Sequence, residues 1–285
     1  MGTQMRQDSI DMGDLSYSPC RYGNSRILFR GPRRPLDRPY LAFIGGTETY
    51  GKFIEKPFPT LVETALRQPC VNFGCLNAGI DAFANDPTIM EICNGADMTV
   101  VQVLGANNLS NRFYSVHPRR NDRFLRAATV LQAIYPEVEF NDCAFTGQLL
   151  ARLFETSPDR FDIVVHELRQ AWLARMQTML RQIGPNCMLL WFSDEPLDNA
   201  DWVARPAQLR AAPLFITASM IDTLRPLVRA VVTAIPSEQA LAQGTMGMQY
   251  PPSQQSVAAE MLGVRCHVEA ASKLVMALRD DMFSI

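Results

Sequence analysis

Leu41-Ala42-Phe43-Ile44-Gly45-Gly46-Thr47 is the stretch that decides the fold of this 285-residue chain. The apolar run from Tyr40 to Ile44 is typical of a buried strand, and it ends in two glycines and a hydroxyl. Two later blocks follow apolar runs in the same way: Asn72-Phe73-Gly74 after Cys70 to Val71, and Gly105-Ala106-Asn107-Asn108 after Met98 to Leu104. Because the loops at the carboxyl ends of parallel strands meet at one edge of a sheet, we expect the three blocks to form one site.

Helical patterns separate these runs. Pro57 to Arg67 follows the first block and Asp86 to Cys93 follows the second, and the strongest helix begins at Ser157-Pro158 and ends at Gly184-Pro185. Further strands are predicted at Cys187 to Phe192 and Ala230 to Ile235. This alternation predicts an α/β fold, a three-layer αβα sandwich with a mostly parallel, flavodoxin-like sheet.

The composition predicts one main domain with an appended arm. Residues 1–38 form a polar, basic N-terminal arm, expected to be partly ordered, and residues 39–285 form the main domain with an Arg-rich insertion at 106–157. The segment 236–256 is rich in Gly, Met and Pro and lies next to His267, so we interpret it as a lid. As a weaker hypothesis, the arm docks onto a partner protein or onto a second copy of this chain. In the second case the protein would be a homo-oligomer.

Charge and motifs exclude several classes of function. With 27 basic and 29 acidic residues the net charge is only -2, so we expect neither nucleic acid nor a membrane as partner. The N-terminus lacks the apolar core of a signal peptide, and a cytoplasmic location is expected. Seven cysteines without a CxxC pair predict reduced core residues and no metal site. Phosphate-loop, GxGxxG and GxSxG motifs are absent from the sequence, and no cofactor is expected.

The three blocks and the C-terminal helix together resemble the SGNH (GDSL-type) hydrolases. In that resemblance Thr47 takes the position of the nucleophilic serine, and Gly74 and Asn107 take those of the oxyanion-hole donors. The segment from Gly263 to Leu278 is similar to the closing Asp-x-x-His segment and its helix, with His267 as the matching base. The resemblance covers roughly Tyr40 to Leu278 and implies the SGNH fold and ester hydrolysis or acyl transfer.

The sequence departs from the family pattern at three acids, because Gly46, Asn108 and Val264 stand in their places. Loss of the acid that orients the histidine matters most, since removing it from a serine protease costs on the order of 10⁴ in turnover. Two functions therefore remain open. One is an esterase, deacetylase or acyltransferase on an acylated, anionic carbohydrate-type substrate, through Thr47 and His267. The other is a catalytically inactive SGNH-like module that binds an anionic glycan or metabolite.

The anionic expectation comes from arginines that follow the third block with a single acid, Asp122, among them. Guanidinium groups favour carboxylate, sulfate or phosphate, although the same arginines would equally suit a solvated helix face. Glu48 points either into the site or into solvent, and His117 is interpreted as a substrate contact rather than the base. The predicted substrate-binding residues are Gly46, Glu48, Asn108, Arg112, His117, Arg119, Arg120 and Arg123.

Overall fold

A five-stranded parallel sheet forms the centre of the protein in a computed structural model that describes residues 15–199, 209 and 212–282. The strands are β1 (Leu41–Gly45), β2 (Cys70–Gly74), β3 (Met98–Gln102), β4 (Tyr114–His117), β5 (Arg120–Ala127), β6 (Cys187–Phe192) and β7 (Ala230–Ala234), of which β4 and β5 form a separate antiparallel hairpin. The order of the central sheet is β2-β1-β3-β6-β7, and every neighbouring pair is parallel. This is the flavodoxin-like order, in which the connection reverses direction between β1 and β3.

Helices cover both faces of the sheet. The helices are α1 (Thr47–Tyr50), α2 (Phe58–Leu66), α3 (Asp81–Ala84), α4 (Pro87–Asn94), α5 (Thr129–Ile134), α6 (Thr146–Thr156), α7 (Pro158–Ile183), α8 (Ala218–Leu224), α9 (Glu238–Ala242), α10 (Gln255–Ala259) and α11 (Val264–Met282). Asp86 caps α4 by accepting hydrogen bonds from the amides of Thr88 and Ile89, and Ser157 caps α7, whose first residue is a proline.

The first strand divides its side chains between two hydrophobic layers. Leu41 and Phe43 pack into the layer beneath α2 and α11, whereas Ala42 and Ile44 pack into the larger layer beneath α4 and α7. All five residues of β1 are buried, as expected for a central parallel strand covered on both faces. The predicted three-layer α/β fold is therefore confirmed.

The described part of the N-terminal arm packs onto the main domain. Tyr22 and Phe29 are each 1% exposed, and both rings make edge contacts with Phe73 of β2. Arg30 is also buried, and its guanidinium donates hydrogen bonds to the carbonyls of Tyr50, Gly51 and Glu55. The arm is thus attached to the main domain through these buried side chains.

The Arg-rich stretch is a hairpin rather than a helix face. β4 pairs with β5 with register shifts on both sides of Val116, and Phe124 packs its ring against Tyr114. These irregularities break the alternation of apolar and polar residues that would have identified two strands. The predicted insertion at 106–157 contains this hairpin together with α5 and α6.

Within the described residues, none of the helices combines the length and the apolarity needed to cross a membrane.

Candidate functional site

A cavity of about 460 Å³ opens at the carboxyl edge of the sheet, a volume within the range of about 300–1,000 Å³ that is typical of small-molecule pockets. It lies where β1 and β3 meet, at the point of the sheet where the chain reverses its direction of winding. Loops after β1, β2, β3 and β6 line it, together with the segment that leads into α11. Leu241 and Gly244, from the segment interpreted as a lid, form part of the same wall.

Thr47 lines this cavity at the start of α1, directly after β1. Its hydroxyl accepts a hydrogen bond from the amide of Asn77 at 3.1 Å, and it donates one to the Asn77 side-chain oxygen at 3.4 Å. Asn77 has a φ of 54°, a left-handed conformation that asparagine adopts more readily than most residues. The hydroxyl is therefore held by an amide and a carbonyl oxygen, neither of which is a proton-accepting base.

The third block forms a rigid wall of the cavity. Asn107 donates from its side chain to Oδ1 of Asn108 at 2.9 Å, and Thr146 donates to the same oxygen at 2.6 Å. The Tyr114 hydroxyl donates to the backbone carbonyl of Asn107 at 2.6 Å. Asn107 and Asn108, both predicted site residues, line the cavity.

Glu48 also lines the cavity, so its side chain points into the site. Gln102, buried at the end of β3, connects this carboxylate to the turn after β1: its side-chain oxygen accepts from the Gly46 amide at 3.1 Å and from the Thr49 hydroxyl at 2.6 Å. Its side-chain nitrogen donates to Oε2 of Glu48 at 3.3 Å. Burial raises the pKa of Glu48 above its ordinary value, and the hydrogen bonds from its own backbone amide and from Gln102 lower it in part.

Gly46 lies beside that carboxyl group. A Cβ placed on Gly46 would lie 3.8 Å from Oε2 of Glu48, an ordinary van der Waals distance, and 3.0 Å from Cδ2 of Leu104. A larger residue at position 46 would therefore press on Leu104 and not on the carboxyl group.

Gly74, the predicted oxyanion donor, lies beside the turn but does not line the cavity. Its amide donates to the side-chain oxygen of Asn72 at 2.7 Å, and the Asn72 side-chain nitrogen donates to the carbonyl of Thr49 at 2.7 Å. A Cβ on Gly74 would meet the amide nitrogen of Tyr50 at 2.1 Å. In this arrangement Gly74 allows β2 and α1 to approach closely, and its amide has a partner.

His267 lies outside the cavity wall. The residue is 1% exposed, and its Nδ1 accepts a hydrogen bond from the amide of Phe58 at 3.2 Å. The ring stacks on Phe58 with centroids 5.9 Å apart and meets Phe192 edge-on at 5.2 Å. Burial, and to a smaller extent the charge of Arg30, lower the pKa of His267 to about 3. No hydrogen bond among the described residues joins this imidazole to Thr47, so the predicted pair is not brought together.

Two residues near His267 in sequence face the cavity instead. Gly263, directly before α11, and Cys266 line it. Phe192 lies between part of the cavity and the His267 ring, since it contacts both. The acidic side chains in the described wall are Glu48, Asp194 and Glu260, and no arginine, lysine or histidine of the described residues belongs to it. The cavity wall is therefore acidic.

The predicted anion-binding arginines lie elsewhere. Arg112 forms an ion pair with Glu167 at 2.6 Å, and Arg119 lines a separate depression with Arg26 and Asp86. Nη2 of Arg120 approaches Asp122 at 3.9 Å. Arg123 pairs by its backbone with Phe145, and none of these four arginines lines the main cavity.

The hairpin nevertheless reaches the edge of the site. Nδ1 of His117 accepts hydrogen bonds from the amides of Arg119 and Arg120 at 3.3 and 3.2 Å, which shapes the hairpin turn. Asp122 accepts from the Asn77 side chain at 3.4 Å. His117 is thus the last residue of β4 and holds the hairpin turn in place. Asp122 is linked to Thr47 through Asn77, which hydrogen-bonds to both.

Several residues of the cavity wall were not predicted, among them the polar residues Asn77, Gln102, Asp194 and Glu260. Asn77 and Asp194 could have been identified in the same way as Thr47 and Asn107, because each of them also follows a strand of the parallel sheet. Gln102 is a polar residue at the end of an otherwise apolar strand, and such a residue needs a buried partner. Among the described residues, no group of histidine, cysteine, aspartate or glutamate side chains has an arrangement suited to a metal ion.

Comparison with known proteins gives one match along almost the whole chain. The family described as "Domain of unknown function (DUF6473)" matches residues 5–282. No curated protein matches the sequence.

Three solved structures match this chain with low sequence identity and low TM-scores. The lipase Lip_vut3 from a goat rumen metagenome is 15% identical, with a TM-score of 0.43, covering 84% of this chain and 97% of the other. An acetyl xylan esterase (Est2A) from the rumen bacterium Butyrivibrio proteoclasticus is 14% identical, with a TM-score of 0.43, covering 91% and 68%. A carbohydrate esterase family 2 enzyme from Corynascus thermopiles (Myceliophthora fergusii) is 13% identical, with a TM-score of 0.44, covering 88% and 69%. Likeness at this level identifies neither a substrate nor a catalytic residue here.

Proposed function

Because the chain belongs to the DUF6473 family, whose description assigns no activity, its own cavity is the basis on which we propose a function. We propose that the protein is a binding module with an esterase-like architecture, and that it binds an uncharged, acylated or polyhydroxylated small molecule of carbohydrate type. Thr47, Asn107 and Asn108 take part in binding, and hydrolysis is not the main role of the site.

The position of His267 carries this proposal. An imidazole that accepts a proton from a hydroxyl must have a free ring nitrogen within hydrogen-bond reach of it. Nδ1 of His267 already accepts from the Phe58 amide, so the neutral ring carries its proton on Nε2 and neither nitrogen is free to accept one. The ring is also buried against Phe58 and Phe192. Thr47 therefore keeps its place in the cavity without a base to activate it.

The polar groups of the wall support a ligand with many hydroxyl groups. Thr47, Asn77, Asn107 and Asn108 place a hydroxyl and three carboxamides around the cavity. Such groups offer both donors and acceptors, as sugar hydroxyls require. Asp194 and Glu260 in the wall oppose an anionic ligand, because like charges repel each other. The arginines that suggested an anion do not line this cavity, so the proposed ligand is uncharged.

Binding is tested by calorimetry with three probes: methyl β-xyloside, its triacetate and galacturonate. We expect at least one of the uncharged probes to bind and galacturonate to bind more weakly. Replacing Thr47→Val should weaken binding about tenfold, since one hydrogen bond to the ligand is lost. Thr64→Val, at an exposed position of α2, serves as the matched control. Failure of both uncharged probes, or a clear preference for galacturonate, would contradict the proposal.

The hydrolytic alternative makes a separate prediction. If Thr47 and His267 act together after a rearrangement, the protein should turn over p-nitrophenyl acetate, and both Thr47→Ala and His267→Ala should abolish that turnover. We expect no turnover above background and no difference among the three proteins. A rate that disappears in both variants would establish the esterase function in place of the binding function.

A further inference from the structure

We propose that Glu48 recognises the ligand as an uncharged carboxylic acid, donating a hydrogen bond to an acyl carbonyl oxygen. The site would then select acylated ligands over the free sugars. This inference rests on the proposed function of the cavity and names the group that gives it specificity.

The orientation of Gln102 is the first step. Its side-chain oxygen accepts two hydrogen bonds, from the Gly46 amide and the Thr49 hydroxyl, so its nitrogen must face the other way. That nitrogen donates to Oε2 of Glu48 at 3.3 Å. Gln102 thus holds one carboxyl oxygen, and the backbone amide of Glu48 also donates to this carboxyl group. No other side-chain partner of the carboxyl group is found among the described residues. Because Glu48 lines the cavity, a ligand there can reach its carboxyl group.

The charges around Glu48 are the second step. Among the described residues, the other ionisable side chains that line the cavity are those of Asp194 after β6, Glu260 before α11 and Cys266 within α11. None of them is cationic, and no described lysine or arginine forms an ion pair with Glu48. A partly buried carboxylate without a cation beside it is destabilised relative to its neutral form. Burial correspondingly raises the pKa of Glu48.

The protonation state decides what Glu48 can recognise. A neutral carboxylic acid carries one donor, whereas a carboxylate only accepts. The carbonyl oxygen of an ester is an acceptor and cannot bond to a carboxylate, but it bonds well to a carboxylic acid. A free sugar hydroxyl suits either state. Preference for the acylated ligand therefore requires the protonated form.

A test independent of any ligand compares the wild type with Glu48→Gln by urea unfolding between pH 4.5 and 7.5. Since the pKa of Glu48 is raised in the folded state, the unfolded chain loses this proton first as the pH rises, and the wild type should lose stability over this window. Glu48→Gln has no proton to lose, so its urea midpoint should rise relative to wild type with increasing pH. Glu91→Gln, exposed on α4, is the control and should follow the wild type. Parallel curves for Glu48→Gln and wild type would overturn the proposal.

Binding of the methyl β-xyloside triacetate supplies the second test. Glu48→Gln retains an amide donor, so it should bind the triacetate nearly as well as wild type and without a decline at high pH, whereas Glu48→Ala should bind about tenfold more weakly. Equal loss in both variants, or a wild-type preference for the free xyloside, would overturn the role of Glu48 while leaving the proposed function in place. Failure of both xylosides to bind would instead overturn the proposed function, whatever the unfolding curves show.

Discussion

The amide of Phe58 donates a hydrogen bond to Nδ1 of His267 across 3.2 Å, and this contact joins the start of α2 to the start of α11. It satisfies one of the backbone donors that the first turn of a helix leaves without an intrahelical partner. Because Nδ1 is the acceptor, the neutral ring carries its proton on Nε2. His267 therefore stabilises the packing of two helices on one face of the sheet.

Acid sensitivity of folding follows from this burial. The unfolded chain gains a proton on His267 below about 6.5, but the folded protein does so only near a pKa of about 3. Stability should thus fall as the pH drops through this window, by about 1.4 kcal/mol per pH unit for this group. In His267→Gln, whose side-chain oxygen can still accept from Phe58, we expect the slope of unfolding free energy against pH between 6 and 4 to be smaller by about that amount.

Urea unfolding at several pH values measures this slope. The matched control is His166→Gln, because His166 is exposed on α7 and hydrogen-bonds to Gln170 of the same helix. It should keep the wild-type dependence. Identical slopes for wild type and His267→Gln would show that the imidazole titrates normally and is not enclosed as described.

Arg30 fastens the N-terminal arm to the turn that carries Thr47. Its guanidinium donates to three backbone carbonyls, those of Tyr50, Gly51 and Glu55. An ammonium group on a flexible stem cannot reproduce the planar fork, so Arg30→Lys should lower the unfolding free energy by about 2 kcal/mol although the charge is kept. Arg26→Lys, at an exposed position of the same arm, should change it by less than about 0.5 kcal/mol. Equal stability of the two variants, measured by urea unfolding, would contradict the role of Arg30.

Asn77 holds the Thr47 hydroxyl from a left-handed backbone conformation with a φ of 54°. Removing its side chain in two ways separates backbone strain from the lost hydrogen bond. Asn77→Ala should be less stable than Asn77→Gly by about 1 kcal/mol, because alanine is strained at this φ and glycine is not. Thermal or urea unfolding measures the difference. A more stable alanine variant would mean that the loop adopts another conformation.

Much of the fold was predictable because the apolar runs of a doubly covered parallel sheet are continuous. The run Tyr40 to Ile44 predicted β1 to within one residue at each end, and the strong apolar stripe after Ser157 predicted α7. The hairpin of β4 and β5 was not predicted, since its register shifts remove the two-residue alternation on which a strand assignment depends.

The sequence predicted which loops form the site, but it did not predict the direction in which each side chain points. Order along the chain identified Thr47, Asn107 and Asn108, which line the cavity, because the position of a loop after a strand fixes the edge at which it lies. The order along the chain does not decide which residue at the start of α11 faces that edge. Successive residues of a helix are about 100° apart, so a difference of one position brings Cys266 to the cavity and turns His267 towards Phe58. Nothing in the local sequence distinguishes these two rotations.

Gly74 should prove essential for the geometry of the site through packing alone. A Cβ there would lie 2.1 Å from the amide nitrogen of Tyr50, so Gly74→Ala must push α1, and with it Thr47, away from β2. We expect a loss of about 2–3 kcal/mol in unfolding free energy, in the range of overpacked core positions. Gly147→Ala is the matched control: its Cβ meets nothing within 4 Å in the first turn of α6, and alanine should stabilise the protein there by up to about 1 kcal/mol. If both substitutions had the same effect on urea unfolding, β2 and α1 would not be in the close contact that places the Thr47 hydroxyl in the cavity.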